Sequence, residues 1–183
     1  FFRIMKSNFL LMLYNLVEAT FTTGMLDIYD KLKSENCTYE TVIDEIQKIW
    51  RDYKVKEVYK PDSPLTAYTN RVRQIVADIT QNVPMTLVRS MLGINGNLNA
   101  QKIKKICDSH RIRYRVTDDQ LILEKVKEKR NALAHGDESF SRCARDLTLT
   151  DLEVIKDTVL LFISEILVGM DAYYDNKQYL RNT

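Results

Sequence analysis

The stretch Lys127-Glu128-Lys129-Arg130-Asn131-Ala132-Leu133-Ala134-His135-Gly136-Asp137 holds the side chains best suited to phosphate chemistry. Arg130 offers a rigid fork of hydrogen-bond donors to an anion. His135 offers the side chain that most readily exchanges a proton near neutral pH. Leu123, Val126, Arg130 and Leu133 follow one another at steps of three, four and three, so Arg130 falls on the apolar stripe of a helix. A solvated surface arginine would not be placed there. An unpaired buried charge is costly, so this guanidinium needs an anion, a partner subunit or a cleft.

His135 lies five residues on, about 140° around an ideal helix from Arg130. The two do not share a face, yet a long arginine and a histidine in the last turn can border one groove. Gly136 is suited to end the helix just past His135. The imidazole then sits near the negative end of the helix dipole, where positive charge is favoured. The bland alternative is a buried structural arginine with a satisfied histidine at a helix end.

These residues need helices to position them, and the composition supplies helices. Only five glycines and three prolines interrupt 183 residues, too few turn residues for a β-sandwich of this size. At 45% hydrophobic and 28% charged the chain reads as a single globular domain spanning 1–183. Apolar residues at Phe2, Met5, Phe9, Leu13, Leu16, Val17, Phe21, Met25, Ile28, Tyr29 and Leu32 predict one long amphipathic helix, fraying near Ser34 to Asn36. Gly24 within it weakens the helix or marks a close helix–helix approach. The pattern is already running at Phe1, which points to residues upstream.

Thr38 is the expected cap of a second helix through Val42, Ile43, Ile46, Ile49 and Trp50. A loop follows at Lys60 to Pro64, then a third helix through Val72, Ile75, Val76 and Ile79, ending before Pro84. Gly93 to Asn97 is a turn, and either Asn99 or Asn97 caps a short basic helix through Ile103, Ile106 and Cys107. Ile112 to Val116 alternates apolar and basic residues as a short extended piece. Thr117 to Gln120 fits a capping box for the helix bearing Arg130, and Thr150 to Glu153 fits another for the last helix, Leu152 to Tyr173. The architecture expected is an all-α, antiparallel up-and-down bundle, with residues 93–116 inserted between two core helices.

Cys37, Cys107 and Cys143 show no metal-ligand spacing, and there are only two histidines, His110 and His135. We expect reduced structural thiols in a cytoplasmic protein, no metal and no cofactor. The run Phe9 to Leu13 is far shorter than the roughly 20 apolar residues of a membrane span, and Glu18, Asp27 and Asp30 follow it, so no membrane partner is expected.

The sequence Arg130-Asn131-Ala132-Leu133-Ala134-His135 resembles the R-N-x-x-x-H signature of the HEPN (higher eukaryotes and prokaryotes nucleotide-binding) superfamily. The opening helix from Asn8 to Leu32, the stretch GNLNAQKIK and the tail HGDESFSRCARD look like prokaryotic toxin-like HEPN proteins found with defence genes. Together these cover most of the chain. The resemblance implies a helical bundle that dimerises so that two such motifs face each other, acting as a metal-independent endoribonuclease. The implied reaction is attack of the substrate's ribose 2′-OH on the adjacent phosphate. On that template His135 handles the proton, Arg130 stabilises the transition state, and Asn131 orients the pair or the phosphate. It also implies a partner protein, such as an antitoxin, that restrains the activity.

Lys102, Lys104, Lys105, Arg111, Arg113 and Arg115 form a basic run opposed by a single acid, Asp108. Such a run is either a solvated face or a surface that tracks RNA phosphates, with Tyr114 available for stacking on a base and Arg142 and Arg145 extending it. Two other readings stand beside ribonuclease. One is a non-catalytic dimerisation or RNA-binding module. The other is a DNA-binding regulator, with residues 93–116 forming a turn, a basic helix and a strand.

Overall fold

The three-and-four spacing of the first segment is realised as a single helix, α1 (Phe2–Ser34). The computed structural model describes residues 2–58, 64–94, 96–115 and 120–181. After α1 come α2 (Asp44–Val58), α3 (Leu65–Thr80), a 3₁₀ turn (Arg89–Leu92), α4 (Ala100–His110), α5 (Gln120–His135), α6 (Phe140–Cys143) and α7 (Leu149–Asp175). The fold is all-α. Among the described residues, β pairing is limited to one bridge between Val42 and Leu180.

Leu10, Leu13, Val17, Phe21, Met25, Ile28 and Leu32 bury the inner face of α1, while Phe2, Met5 and Leu16 of the expected stripe stay exposed. By length and composition α1 is apolar enough to cross a membrane, although no short run within it suggested so. Its apolar face is spent on the core it shares with α5 and α7. Contacts step up α1 and α7 together: Lys6 donates to the Leu147 carbonyl, Gly24 faces Met170, and Glu35 accepts from Tyr179. The two longest helices therefore run parallel. α5 runs against both, since Arg130 lies at Tyr14 while Phe140, just past the end of α5, accepts from Ser7.

Gly24 marks a close approach, because a Cβ there would stand 2.7 Å from the Met170 sulfur. A tighter crossing occurs at Gly169, where a Cβ would meet the Arg113 carbonyl oxygen at 2.4 Å. The segment after α4 thus crosses α7 where a side chain is missing. That segment keeps the expected alternation, with Ile112 buried and Arg113 and Arg115 exposed, but it joins no ladder. α4 is capped by Asn99, whose side chain accepts from the Lys102 N–H, and it buries Ile103, Ile106 and Cys107 in the shared core. The three cysteines are free and buried, and burial pushes the Cys107 thiol up to about 12.

Three boundaries differ from expectation or fall outside view. α2 begins at Asp44, not after Thr38. Thr38 instead closes a turn with Thr41, and the next residues bond to the C-terminal segment: the Ile43 N–H donates to Tyr179 and the Arg181 N–H to Thr41. The last capping box belongs to Thr148 and Asp151, two residues before the one expected at Thr150. The box expected at Thr117, Lys60 to Ser63 of the loop, Asn95 of the turn, and Val116 lie outside the described residues.

Candidate active site

α5 presents the predicted stripe. Leu123, Val126 and Leu133 are buried, and Arg130 is half-buried in line with them. Its guanidinium carbon stands 4.6 Å from the centre of the Tyr14 ring, a cation–π contact. Nη1 donates to the Asn131 side-chain oxygen at 2.9 Å, and the Asn131 amide donates in turn to Asn97 at 3.0 Å. Among the described residues, then, the partners of Arg130 are an aromatic face and a neutral amide, and it forms no salt bridge. The charge is held in place without being neutralised.

Tyr14 is the residue that sequence reasoning missed. Its position on the inner face of α1 matches that of any apolar neighbour. Its hydroxyl donates to the Gly96 carbonyl and accepts from the Leu98 N–H, both at 2.9 Å. One ring therefore pins the 96–98 loop and supports Arg130. Burial raises the hydroxyl above its ordinary value, with Glu18 adding to the shift and the Leu98 N–H and Arg130 opposing it, so it remains a neutral phenol. The loop passes close to the arginine, with the Gly96 Cβ position 3.7 Å from Nη2.

His135 is the last residue of α5 and is exposed. Gly136 follows with φ +78°, which a side chain would resist, so the chain turns there as predicted. Beyond it the Glu138 N–H returns to the Ala132 carbonyl, and the Cys143 thiol contacts the Lys129 carbonyl at 3.7 Å. The segment after the motif is thereby folded back on α5. No hydrogen bond joins Arg130 to His135 within the protomer among the described residues.

A groove of about 360 Å³ opens beside Arg130 along α1, bordered by Asn15, Glu18, Thr22 and Leu26 and by Arg89 from the 3₁₀ turn. None of the residues in the basic run lines it. Lys104 and Lys105 are exposed on α4, Lys102 is half-buried there, and Lys104 pairs with Asp108 at 2.6 Å. Arg111, the left-handed cap of α4, lines a separate groove with Arg113, Asp44 and Arg181 at the C-terminal end of α7. Arg115 is exposed beyond it. Arg142 is exposed on α6, and Arg145 pairs with Asp146 at 3.1 Å. Among the described residues, no three His, Cys, Asp or Glu side chains gather as a metal-binding group.

A family model described as HEPN_MAE_28990-like HEPN matches residues 2–179. No curated protein and no solved structure matches the chain.

Proposed function

Because the chain belongs to the HEPN_MAE_28990-like HEPN family, we propose that it is a metal-independent endoribonuclease working at Arg130, Asn131 and His135 across a homodimer. The observation that carries this reading is the state of Arg130: half-buried, stacked on Tyr14, braced by Asn131 and in no salt bridge among the described residues. A fold that only needed a structural arginine there would gain by neutralising it. One that binds a phosphate must keep the charge available.

In the proposed reaction the ribose 2′-oxygen forms a bond to phosphorus and the bond to the 5′-oxygen breaks, leaving a 2′,3′-cyclic phosphate and a 5′-OH. A proton leaves the 2′-OH and one reaches the departing oxygen. With two motifs facing each other, the imidazole of one protomer, beside the arginine of the other, can supply the second proton while solvent takes the first. Arg130 stabilises the charge that builds on the phosphate oxygens. The exposure of His135 at a helix end suits a residue completed by a second copy.

The test is cleavage of single-stranded RNA in excess EDTA by the wild type, beside His135→Ala and Arg130→Ala. Each substitution should lower the rate by roughly 10²-fold or more. A substrate with 2′-deoxyribose at the cut site should survive. Cleavage of that substrate, or loss of activity in EDTA, would overturn the mechanism. A second reading, a non-catalytic RNA-binding or dimerisation module, is favoured by the lack of a hydrogen bond between Arg130 and His135 within the protomer among the described residues. It takes over if both alanine variants match the wild type.

A further inference from the structure

The groove beside Arg130 contains more than the motif requires. Asn15, Glu18, Thr22 and Leu26 recur at steps of three and four, so one stripe of α1 forms its floor. Thr22 is 5% exposed, and its hydroxyl oxygen is buried with no hydrogen-bond partner. A threonine inside a helix usually satisfies that hydroxyl on the carbonyl of the preceding turn. Here it makes no such bond, and neighbouring atoms close it off from solvent.

Two arginines enter the groove from different places. Arg130 comes from α5 at the level of Tyr14. Arg89 comes from the 3₁₀ turn, within a segment that runs back along α1. The Met85 N–H at one end of that segment donates to Cys37, just past α1, and Gly96 at the other accepts from Tyr14. Arg89 therefore reaches the groove farther toward the C-terminal end of α1 than Arg130 does. It is exposed and forms no salt bridge among the described residues. Glu18 shares the floor with them, and its carboxylate repels a phosphate placed beside it. The two guanidiniums are thus suited to two separate phosphates, with the uncharged part of a nucleotide over Glu18 and Thr22.

We propose that this groove is the subsite for the nucleotide flanking the scissile phosphate, and that Arg89 binds that nucleotide's other phosphate. The proposal rests on the ribonuclease reading only for calling one phosphate scissile. Arg89 is a binding residue that does not touch the reacting atoms. Its loss should therefore raise KM and leave kcat within about twofold, the pattern of a contact made equally before and during reaction.

The experiment measures binding of a single-stranded 2′-O-methyl RNA of mixed sequence, which cannot be cut through the 2′-OH route, at several salt concentrations. Wild type, Arg89→Gln and Arg89→Lys of the full chain are compared, with cleavage of ordinary RNA followed in parallel. Arg89→Gln should weaken binding by roughly tenfold and reduce the log–log salt slope by about 0.7, the share of one phosphate contact on a single strand. Arg89→Lys should restore the slope. Because Arg89 is exposed, both variants should keep the wild-type melting temperature. An unchanged affinity and slope in Arg89→Gln overturns the subsite even if RNA is cleaved. Absence of binding by the wild type overturns it too. If binding depends on Arg89 while no variant cleaves RNA, the subsite stands and the ribonuclease reading falls.

Discussion

The Arg130 guanidinium lies 4.6 Å from the centre of the Tyr14 ring, and the same tyrosine's hydroxyl ties down the loop that passes over the arginine. Removing the hydroxyl should therefore separate two effects. Tyr14→Phe keeps the ring under Arg130 but leaves the Gly96 carbonyl and the buried Leu98 N–H unpaired, costing about 1–3 kcal/mol of stability. Tyr14→Leu also removes the aromatic face and should lower RNA cleavage further than Phe does. Urea denaturation and cleavage rates on the same samples check this. Equal cleavage by the Phe and Leu variants would show that the ring does not hold Arg130 for catalysis.

Asn131 links Arg130 to Asn97 through neutral hydrogen bonds. Replacing its amide with a carboxylate should pair with the guanidinium and withdraw it from a phosphate. Asn131→Asp should lower cleavage by roughly 10²-fold, close to the loss of Arg130 itself. Asn131→Ala, which frees the arginine without neutralising it, should cost about tenfold or less. A larger loss in Ala than in Asp would mean that Asn131 acts on the substrate directly.

The stripe of α5 and the inner face of α1 were legible because burial imposes one period on both, and Arg130 stood out as a charge within that period. Tyr14 was not legible, since its partners Gly96 and Leu98 lie more than eighty residues away and nothing local distinguishes it from Leu13 or Val17. The start of α7 shows a different limit. Thr148 with Asp151 and Thr150 with Glu153 are equally good capping boxes in sequence. Starting at Thr148 puts Leu147 and Leu152 at the two positions that flank a helix entrance, and these are half-buried and buried. Starting at Thr150 would put Leu149 and Val154 there, and both are exposed. Tertiary burial chose the register. The start of α2 was lost for a similar reason, because Val42 and Ile43 are claimed by residues 179 and 180.

His110 should make stability depend on pH. It is 1% exposed; its Nδ1–H donates to the Ile106 carbonyl at 2.7 Å and Nε2 accepts from the Tyr29 hydroxyl at 2.8 Å. Burial holds the ring neutral and pushes it down to about 4 from an ordinary 6.5. The unfolded chain therefore binds a proton that the folded one refuses between those values. The stabilisation is fully present above about 6.5 and is lost as pH falls toward about 4, with a slope of at most roughly 1.4 kcal/mol per pH unit. His110→Gln should be less stable at pH 7.5 but should lose less on acidification to pH 5. Parallel loss in the two proteins by urea titration would remove His110 as the cause.

Two glycines that look alike in sequence should respond unequally to alanine. At Gly24 the obstacle is the sulfur of Met170, the flexible end of a side chain. Alanine gains about 1 kcal/mol of helix propensity there, so the net change should be small. At Gly169 the obstacle is the Arg113 carbonyl at 2.4 Å and the Tyr114 Cβ at 2.8 Å, and backbone cannot step aside so easily. Gly169→Ala should cost about 1–3 kcal/mol despite the same propensity gain. Thermal melts of both variants check the contrast. Equal melting temperatures would mean that the 112–115 segment can lift off α7 at little cost.

The final prediction concerns which protomer supplies each part of the site. Arg130 and His135 leave α5 about 140° apart, and no hydrogen bond joins them within one chain among the described residues. If each site joins the arginine of one protomer to the histidine of the other, two inactive variants should repair each other. In a heterodimer of Arg130→Ala with His135→Ala, one site has both residues intact and the other has neither. Mixing the variants in equal amounts and allowing exchange makes half of the dimers mixed. Activity should then return to about a quarter of the wild-type level, one working site in half the dimers. Each variant alone stays inactive, and the native mass of the mixture reports whether exchange has occurred. If exchange is complete and no activity returns, a site made of one arginine and the opposite histidine is excluded. The residues then act either within one protomer or as a set of four.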